Sequence, residues 1–505
     1  MIDNHNLYCL FERQFLAAGD AAALTPAGGG PGLSYRALAE GAGRYANALA
    51  GLGVAPGDRV TVQVEKSPAN VLLYLGAIKA GAVYQPLNTA YSPSEIDYFI
   101  ADAKPAVIVS DPALSAAARE IAGRRGGTVV TLDGDGGGEL AEMAAGMAPD
   151  HETVMRANDD MAGLLYTSGT TGRSKGAMIT HRNLVSNTIT LHEAWRFVPG
   201  DVLLHALPVF HVHGLYVALG TGFLNRSEIL WHRKFDVNAV MADLPRATVM
   251  MGVPTFYSRL VMRDDLTARA CAHMRLFVSG SAPLLAETHK SFEAKTGHRI
   301  VERYGMTETG MITSNPYDGE RRAGTVGYPL PGISVRITDE QGKELPLGDV
   351  GVIEVKGPNV FKGYWGMAEE TRKAFRADGY FITGDLGVME QDGRISIVGR
   401  GKDLIISGGL NVYPKEVENE LDAIEGVAES AVIGVPHADF GESVVAVVTG
   451  NPPPEPDMIA QLSARLAKFK VPKRIFTIPE LPRNVMGKVQ KSELRQRFAD
   501  TFGGH

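Results

Sequence analysis

Short apolar runs alternate with longer amphipathic segments along the first part of the chain. Residues 58–64 and 106–111 are rich in valine and isoleucine over the length of a strand, which predicts buried β-strands. Residues 67–81 have the length and composition of a helix that ends at a glycine. Strands that alternate with helices of this length indicate parallel β/α layers. The glycine-rich segment 133–139 is typical of a surface loop.

The pattern changes after about Gly324. Short alternating runs separated by glycine turns predict antiparallel β structure, such as a barrel or a small sheet. Residues 399–421 predict a strand, a glycine turn and a helix, and residues 429–448 predict two more strands. We therefore place a domain boundary near residues 400–402 and expect a C-terminal α+β domain of roughly one hundred residues.

The bulk composition is that of a soluble globular enzyme. Of the 505 residues, 45% are hydrophobic and 21% are charged, and a chain of this length is expected to form roughly two to four domains. The net charge of −7 argues against a nucleic-acid-binding protein, which would carry a basic surface. Cys9 and Cys271 are too few for a disulfide framework or a cysteine metal site. The sequence has neither a signal-peptide pattern nor an apolar run of the ~20 residues that span a membrane, so we expect a cytoplasmic protein.

A cluster of hydroxyl groups and glycines follows the apolar run 164–166. Its members are Thr167, Ser168, Gly169, Thr170, Thr171 and Gly172. Backbone N–H groups exposed by glycine and hydroxyl donors together form a cradle for phosphate oxygens, and Lys175 can reach the terminal phosphates as a point charge. Arg173 and Ser174 separate Gly172 from Lys175, so the spacing is not that of a Walker A loop. A capped helix is predicted from near Thr180. The alternative is a flexible surface loop.

Four further motifs follow this loop in a fixed order. The five segments are YTSGTTGRSKG (166–176), RYGMTET (303–309), YFITGDLG (380–387), GRGKDLIISGG (399–409) and PRNVMGKVQK (482–491). In order and spacing they closely resemble the adenylate-forming superfamily, which comprises acyl-CoA synthetases, firefly luciferase and the adenylation domains of peptide synthetases. The resemblance covers essentially the whole chain. It implies that a carboxylate attacks the α-phosphate of ATP to give acyl-AMP and pyrophosphate, and that a thiol, usually of coenzyme A, then displaces AMP.

The resemblance also implies a fold and a domain division. We expect an α/β protein whose N-terminal domain, residues 1–400, combines β/α layers with a distorted β-barrel. Residues 401–402 would form a hinge at Lys402, and residues 403–505 a small mobile α+β domain that carries the catalytic lysine. In one pose of this domain Lys488 would face the nucleotide. In the other, Gly408 and Gly409 would approach the site and bind coenzyme A.

The motifs imply a set of nucleotide contacts. Its expected members are Thr167, Ser168, Gly169, Thr170, Thr171, Gly172, Lys175, Gly280, Ser281, Ala282, Glu302, Arg303, Tyr304, Gly305, Met306, Thr307, Asp385, Arg400 and Lys488. Of these, Lys488, Lys175 and Thr307 would be catalytic, with Lys488 bridging the carboxylate and the α-phosphate. Asp385 would bind the ribose with support from Arg400. Glu308 would hold Mg²⁺, which takes one or two carboxylates together with phosphate oxygens.

Four segments bear on the acid that is activated. Residues 207–215, 251–260, 274–284 and 313–332 look most like malonyl-CoA synthetases, which activate malonate and often methylmalonate. The second carboxylate of malonate stays ionised, so burying it requires a cation or a dense set of donors.

The acyl pocket is therefore expected to contain an arginine. Arg259 is the first candidate for a clamp on the distal carboxylate, with Arg275 and Arg303 as alternatives. A structural ion pair is the other interpretation of Arg259. His211, Ser279 and Met306 are expected to border the same pocket; the spacing of His211 and His213 is weak evidence for a metal pair.

Other functions remain open at this point. The chain could activate another short-chain acid, or it could be a stand-alone adenylation enzyme that loads a carrier protein. No carrier segment follows the last motif, so free coenzyme A is the expected acceptor. A nonenzymatic nucleotide sensor is disfavoured because Lys488 and Glu308 are both present. We expect ATP, coenzyme A and Mg²⁺ as co-substrates and cofactor, no nucleic-acid or membrane partner, and a possible lysine-modifying enzyme that acts on Lys488.

Overall fold

A computed structural model describes residues 4–167, 174–407, 410–437, 440–484 and 487–502. The chain divides into two units. The first comprises Met1–Ser334 and Lys356–Gly379, and the second comprises Val335–Val355 and Tyr380–His505. None of the helices in these described ranges is both long and apolar enough to cross a membrane.

The strands of the first unit fall into two sheets. In chain order they are β1 Ala22–Pro26, β2 Leu33–Ser34, β3 Arg59–Gln63, β4 Val83–Pro86, β5 Val107–Ser110, β6 Thr128–Thr131, β7 Met161–Thr167, β8 Lys175–Thr180, β9 Val202–His205, β10 Glu228–Trp231, β11 Val249–Gly252, β12 Leu276–Ser279, β13 Val301–Met306, β14 Gly310–Ser314 and β15 Tyr328–Pro329.

Helices cover the faces of these sheets. They are α1 Leu7–Ala18, α2 Tyr35–Gly51, α3 Pro68–Lys79, α4 Pro93–Ala103, α5 Ser115–Arg125, α6 Glu139–Ala145, α7 His181–Ala194, α8 Leu219–Asn225, α9 Val237–Asp243, α10 Pro254–Val261, α11 Ala286–Thr296 and α12 Ala368–Ala374. Short 3₁₀ turns lie at Pro112–Leu114 and Leu244–Arg246, and a π-helical turn lies at His213–Ala218.

The first sheet has the strand order β6-β5-β3-β4-β7-β8 among the described residues. Its neighbouring strands are parallel except for β7 and β8, which are antiparallel. The predicted phosphate loop begins at Thr167, the last residue of β7, and its other members, 168–172, lie outside the described residues, within the stretch of sequence between these two strands. It therefore connects two strands of a hairpin, whereas a Walker A loop leads from a strand into a helix.

The second sheet has the strand order β15-β14-β13-β12-β11-β9-β10-β1-β2. Its centre, from β1 to β13, is parallel. Buried side chains such as Leu204, Met250 and Phe277 pack against Tyr257 of α10 and Phe292 of α11 on one face. Burial of each large apolar side chain contributes about 1.5–3 kcal/mol, so this layer fixes where the carboxyl ends of β12 and β13 lie.

The second unit contains two further sheets. Its strands are β16 Ser334–Thr338, β17 Gly351–Lys356, β18 Phe381–Met389, β19 Ile395–Arg400, β20 Ile405–Ser407, β21 Leu410–Val412, β22 Val427–His437, β23 Gly441–Gly450 and β24 Arg474–Thr477. Its helices are α13 Pro414–Asp422, α14 Glu455–Ser463 and α15 Lys491–Arg497, with 3₁₀ turns at Gly401–Asp403 and Ala499–Thr501.

Strands β16 to β19 form an antiparallel sheet, and β20 to β24 form a mixed one. Successive residues of a strand point to opposite faces. On β22, Val432 accordingly packs with Val417 of α13, whereas Ile433 packs with Leu494 of α15. The mixed sheet β20 to β24 is thus buried on both faces.

The structure confirms the α/β class and corrects one detail. Residues 58–64 and 106–111 contain β3 and β5, and residues 67–81 contain α3. Helix α7 begins directly after Thr180, whose hydroxyl accepts a hydrogen bond from the backbone N–H of Asn183 in a capping box. The segment expected to form a distorted barrel is an open four-stranded sheet, β16 to β19, and no closed barrel is found within the described residues.

Candidate active site

A buried carboxylate lies beside the hairpin β7–β8. Glu308 follows β13 and is 5% exposed. Its Oε1 accepts a hydrogen bond from the hydroxyl of Thr167 at 3.3 Å and another from the hydroxyl of Tyr364 at 3.2 Å. A carboxylate held next to a phosphate loop fits Mg²⁺, which prefers hard oxygen ligands and completes its shell with phosphate oxygens and waters.

Lys175 lies in the same group of side chains. It begins β8, and its Nζ donates to Oε2 of Glu370 on α12 at 2.7 Å. The ammonium also lies 5.1 Å from the ring centroid of Tyr364. The hydrogen bond from Lys175 is the largest cause of the lowered pKa of Glu370. The predicted phosphate ligand therefore carries a carboxylate partner in this structure, and its role in phosphate binding stays a prediction.

The carboxyl ends of β12 and β13 bring together a second group of predicted residues. Ser279 is paired with Glu302 across these two parallel strands. Gly280, Ser281 and Ala282 follow directly, and Ser281 has a positive φ of 74°, which is uncommon for a residue other than glycine. Such backbone strain persists only where its surroundings impose it, and it is concentrated at functional sites.

Arg303 on β13 packs against this turn. A Cβ atom placed on Gly280 would lie 2.5 Å from the guanidinium carbon of Arg303, so a side chain at position 280 would displace the guanidinium. Arg303 is 4% exposed, and its Nε and Nη2 have no hydrogen-bond partner within the described residues. Burial lowers the pKa of Arg303 to about 9, which still leaves the group protonated at neutral pH. A buried cation without a partner is costly, and an anionic ligand would relieve that cost.

Three neutral hydrogen-bonding groups lie buried in the same unit, and one of them, His213, is close enough to Arg303 for that charge to lower its pKa. His211 Nε2, His213 Nε2 and Ser279 Oγ are all buried without partners among the described residues. Burial lowers the pKa of His211 to about 4 and that of His213 well below its usual range, with the Arg303 charge as the next cause for His213. The Ser281 hydroxyl lies 3.3 Å from His213 Nδ1, and when it donates there, Nε2 of His213 carries the ring hydrogen. The group therefore combines one cation with neutral donors.

The other two arginine candidates lie in different surroundings. Arg275 donates from Nε to Asp201 Oδ1 at 2.6 Å and from Nη2 to Oδ2, and also to the carbonyl oxygen of Trp195. This bidentate pair occupies its guanidinium. Arg259 lies in the last turn of α10 and is exposed. Its role as a clamp stays a prediction.

The remaining predicted residues of the first unit lie along β13 and the turn after it. Glu302 points away from Arg303, and its Oε1 lies 3.1 Å from His289 Nδ1 and accepts from the Gly324 N–H at 3.2 Å. Tyr304 is buried, while Gly305, Met306 and Thr307 are half-buried. Thr307 lines a cavity of about 20 Å³ together with Val212 and Tyr216, which is room for about one water molecule.

Asp385 and Arg400 face each other in the second unit. They are paired across β18 and β19, and Arg400 Nε lies 2.8 Å from Asp385 Oδ1. Lys402 lies in the 3₁₀ turn that follows β19. The predicted functions of these residues in ribose binding and domain rotation stay predictions.

Lys488 lies on a turn that its own neighbours hold. Its backbone N–H donates to the side chain of Asn484 at 3.0 Å, and the Asn484 N–H donates to the Lys488 carbonyl at 2.9 Å. Gly487 has a φ of +73°, which glycine adopts without strain. Lys488 is exposed as a residue, yet burial of its ammonium end is the largest cause that lowers its pKa, followed by the positive charge of Arg400.

Seven predicted residues lie outside the described residues. They are Ser168, Gly169, Thr170, Thr171, Gly172, Gly408 and Gly409. Sequence reasoning in turn missed Tyr364 and Glu370, which contact Glu308 and Lys175. Both lie almost two hundred residues after the phosphate loop, and no motif spacing marks them. The one local signal is the glycine-aromatic run 363–365, which pairs with β8 through a bridge between Ala177 and Tyr364.

Comparison with known proteins gives consistent results. Residues 11–365 match the family described as AMP-binding enzyme, and residues 416–488 match the AMP-binding enzyme C-terminal domain. The chain is 36% identical over 477 residues to a feruloyl-CoA synthase from an Amycolatopsis species, covering 93% of this chain and 95% of that protein. It is 34% identical over 482 residues to a malonate–CoA ligase from Arabidopsis thaliana, covering 88% and 79%.

A solved structure is more similar still. The crystal structure of ATP-bound MatB from Rhodopseudomonas palustris is 54% identical to this chain and superposes with a TM-score of 0.96, covering 99% of this chain and 100% of that one.

Proposed function

The chain belongs to the AMP-binding enzyme family, and we propose that within this family it is a malonyl-CoA synthetase. It would convert ATP, malonate and coenzyme A into malonyl-CoA, AMP and diphosphate through a malonyl-AMP intermediate. The similarity to a malonate–CoA ligase and to MatB supports this assignment. The assignment of malonate as the acid rests on the buried guanidinium of Arg303. Two of its nitrogens, Nε and Nη2, lack partners within the described residues.

Recognition of the acid follows from the charges around Arg303. The distal carboxylate of malonate would accept hydrogen bonds from Arg303 Nε and Nη2, and charge-assisted bonds of this kind are the strong ones. Because burial keeps His211 and His213 neutral, they would add donors without adding charge. A monocarboxylic acid of the same length would leave the arginine buried and unpaired. A site built to pair a polar group rejects the analogue that lacks it by about 10⁴–10⁵-fold in the strongest cases.

The activation step would use the residues of the motifs. A carboxylate oxygen of malonate attacks the α-phosphorus of ATP, and pyrophosphate leaves with the electron pair of the broken P–O bond. Lys488 would place its ammonium between the two anions, and Thr307 would donate to the α-phosphate. Lys175 would exchange Glu370 for the terminal phosphates. Asp385 would accept from the ribose hydroxyls while Arg400 holds its carboxylate.

Glu308 would hold Mg²⁺. Its carboxylate is fixed by the hydroxyls of Thr167 and Tyr364, and a magnesium ion bound there would neutralise charge on the phosphate oxygens. In the second step the thiolate of coenzyme A attacks the carbonyl carbon of malonyl-AMP, and AMP leaves. We propose Lys402 as the hinge for this step and Gly408 and Gly409 as contacts of coenzyme A.

Lys488 is also the proposed target of a lysine-modifying enzyme. Acylation would remove the positive charge that the first step needs, and the residue is exposed on its turn. Intact-protein mass measured with activity, before and after chemical acetylation, tests this point. Retention of full activity in a protein acetylated at Lys488 contradicts it.

The decisive experiment measures AMP release with ATP and coenzyme A over a panel of acids. The panel contains malonate, methylmalonate, succinate, sulfoacetate, propionate, benzoate and ferulate. We expect malonate to give the highest kcat/KM and propionate to fall far below it. A preference for ferulate or benzoate would overturn the assignment of the acid. AMP release that requires a carrier protein instead of coenzyme A would favour the adenylation-enzyme alternative.

A further inference from the structure

A second buried basic side chain lies in the first unit, away from the motifs. Lys66 stands between β3 and α3, directly before Ser67, which caps α3. The residue is 7% exposed. Among the described residues no carboxylate lies within ion-pair distance of it, and desolvation holds its pKa well below the usual range of a lysine. Nothing in the proposed reaction uses this side chain.

The partners of Lys66 match the geometry of an ammonium group. Its Nζ lies 2.8 Å from His205 Nδ1, 2.9 Å from the His205 carbonyl oxygen and 2.6 Å from the His232 carbonyl oxygen. Three acceptors thus meet the three N–H bonds of an ammonium. The group also lies 4.2 Å from the ring centroid of Trp231, a favourable cation–π contact.

These contacts fix the tautomer of His205. A carbonyl oxygen can only accept, so His205 Nε2, which lies 2.9 Å from the Gly214 carbonyl oxygen, carries the ring hydrogen. His205 Nδ1 then accepts from Lys66 Nζ at 2.8 Å, and this contact favours the same tautomer. Burial and the Lys66 charge hold the pKa of His205 far below its usual range, so the ring stays neutral. Loss of the Lys66 donor would leave Nδ1 without this partner and would weaken the preference for the tautomer that donates to the Gly214 carbonyl.

Gly214 belongs to the π-helical turn His213–Ala218. A Cβ atom on Gly214 would lie 2.0 Å from the Pro208 carbonyl oxygen, so the backbone is already in tight contact at this point. The preceding residue, His213, contacts Ser281 and lies close enough to Arg303 for that charge to lower its pKa. One hydrogen-bonded path therefore runs from Lys66 through His205 to the backbone that carries His213.

We propose that Lys66 is a positioning residue that, through the tautomer of His205, holds the turn His213–Ala218 so that His213 Nε2 faces the distal anion of the substrate. The proposal rests on the proposed function, because it assumes that the distal carboxylate binds beside Arg303. It assigns a role in acid recognition to a residue outside every motif.

The effect should be specific to the second carboxylate. His213 would contact the distal group of the acid and not the nucleotide. Lys66→Met removes three donors while it keeps the length of the side chain, and we expect it to raise KM for malonate about tenfold with a change in kcat below about threefold. KM for ATP and kcat/KM for propionate should stay within about twofold of wild type, since neither requires the distal site.

A double-mutant cycle with His205→Phe tests whether Lys66 acts through His205. Phenylalanine keeps a ring next to Trp231, on which His205 stacks at 5.2 Å, but it has no ring nitrogen. If the path is correct, Lys66→Met adds less than about twofold to KM for malonate in the His205→Phe background, because contacting groups on one path are not additive. Full additivity overturns the proposal.

Lys79→Met is the matched control. Lys79 is also a buried lysine of the first unit, but its Nζ pairs with Glu12 and Thr153 and has no contact with His205. We expect this variant to lower Tm and to leave the malonate-to-propionate ratio of kcat/KM unchanged. An equal change of that ratio in Lys79→Met and Lys66→Met would reduce Lys66 to a general stabilising residue and contradict the proposal.

The same assays separate the two hypotheses. Arg303→Met tests the proposed site of the distal carboxylate directly. If that variant retains the malonate preference, the assignment of the distal carboxylate to Arg303 fails and the role of Lys66 fails with it, whereas the function itself is tested by the panel of acids. If Arg303→Met abolishes the preference while Lys66→Met leaves KM for malonate unchanged, only the role of Lys66 is rejected. Should Lys66→Met fail to fold, His205→Phe with the same substrates gives the corresponding result.

Discussion

Two cations of the proposed reaction, one in each unit, have different surroundings. Arg303 lies within a strand of the first unit, buried, with two nitrogens unpartnered among the described residues. Lys488 lies on an exposed turn of the second unit, which the backbone and side chain of Asn484 hold in place. The guanidinium belongs to a packed sheet, whereas the lysine belongs to a surface turn and only its ammonium end is buried, beside the charge of Arg400.

This difference assigns selection of the acid to Arg303 and activation of the acid to Lys488. A cation already buried in position need not be ordered when its ligand arrives, and a missing anion leaves it unpaired, so it selects by charge. A lysine on a surface turn loses side-chain entropy, up to about 2 kcal/mol, when its whole length is fixed, so it selects less sharply than a cation inside a sheet. Its charge is useful where the reaction develops new charge. We therefore expect changes at Arg303 to alter which acid reacts and changes at Lys488 to alter whether any acid is activated.

Lys488→Ala should give the largest effect. We expect adenylate formation to fall about 100- to 1,000-fold or more for every acid, because the developing phosphate charge loses its cation. Pyrophosphate exchange into ATP measures this step. Chemically supplied malonyl-AMP should still react with coenzyme A at close to the wild-type rate. Equal loss of both half-reactions would assign Lys488 a structural role, and the contrast between Arg303 and Lys488 would then be wrong.

Arg303→Met should lower kcat/KM for malonate about 100-fold or more, in line with the loss of one partner from a buried charge pair. Activity with propionate should fall much less. The free protein should unfold at a higher Tm, because the variant removes a buried cation whose Nε and Nη2 lack partners in the described part of the chain. Differential scanning calorimetry without substrate and steady-state kinetics with both acids measure the two effects.

Arg275→Met is the control for this variant. Arg275 pairs with Asp201, whose side chain is 2% exposed, and removal of one partner of a buried pair costs about 3–5 kcal/mol. Its Tm should fall while its acid preference stays unchanged. If instead Arg259→Ala removes the malonate preference and Arg303→Met does not, the exposed arginine of α10 is the clamp, and the assignment of selection to the buried cation is wrong.

Glu370→Gln should give the smallest effect. It removes the carboxylate that pairs with Lys175, so the lysine no longer has to leave an ion pair when phosphate binds. The pair is partly exposed and screened by solvent, so we expect the Kd for ATP to decrease by at most about fivefold. Isothermal titration with ATP and Mg²⁺ measures this Kd. Glu369→Gln, on the same helix and paired with Arg372, should leave ATP binding unchanged. Weaker ATP binding in Glu370→Gln would mean that this carboxylate helps to place Lys175.

The fold was largely predictable because its signals are local. Runs of valine and isoleucine placed β3 and β5, and the capping residue Thr180 placed the start of α7. Whether β16 to β19 close into a barrel was not predictable, since closure depends on pairing between strands far apart in sequence. The open sheet β16 to β19 differs from the predicted barrel only in that it is not closed.

The site was predictable in part for a related reason. Thr167 and Glu308, which the resemblance assigns to the phosphates and to Mg²⁺, lie within hydrogen-bond distance of each other. Among the arginines, burial distinguishes Arg303 from Arg259, and burial depends on how β12 and β13 are paired. Neither composition nor spacing carries that information. Glu370 has no local signal, because its partner Lys175 lies 195 residues earlier in the chain.

The contact between Gly280 and Arg303 has a consequence for changing the specificity of this protein. The two positions share one space: the guanidinium fills the volume that a side chain at position 280 would need. A substitution at position 280 alone would displace the cation, and a smaller residue at position 303 would leave a void beside the glycine. An acyl pocket for uncharged acids would therefore be reached more readily by a paired exchange, such as Arg303→Leu with Gly280→Ala, than by either step alone. Residues 280 and 303 would then change together, although 23 positions separate them in the sequence.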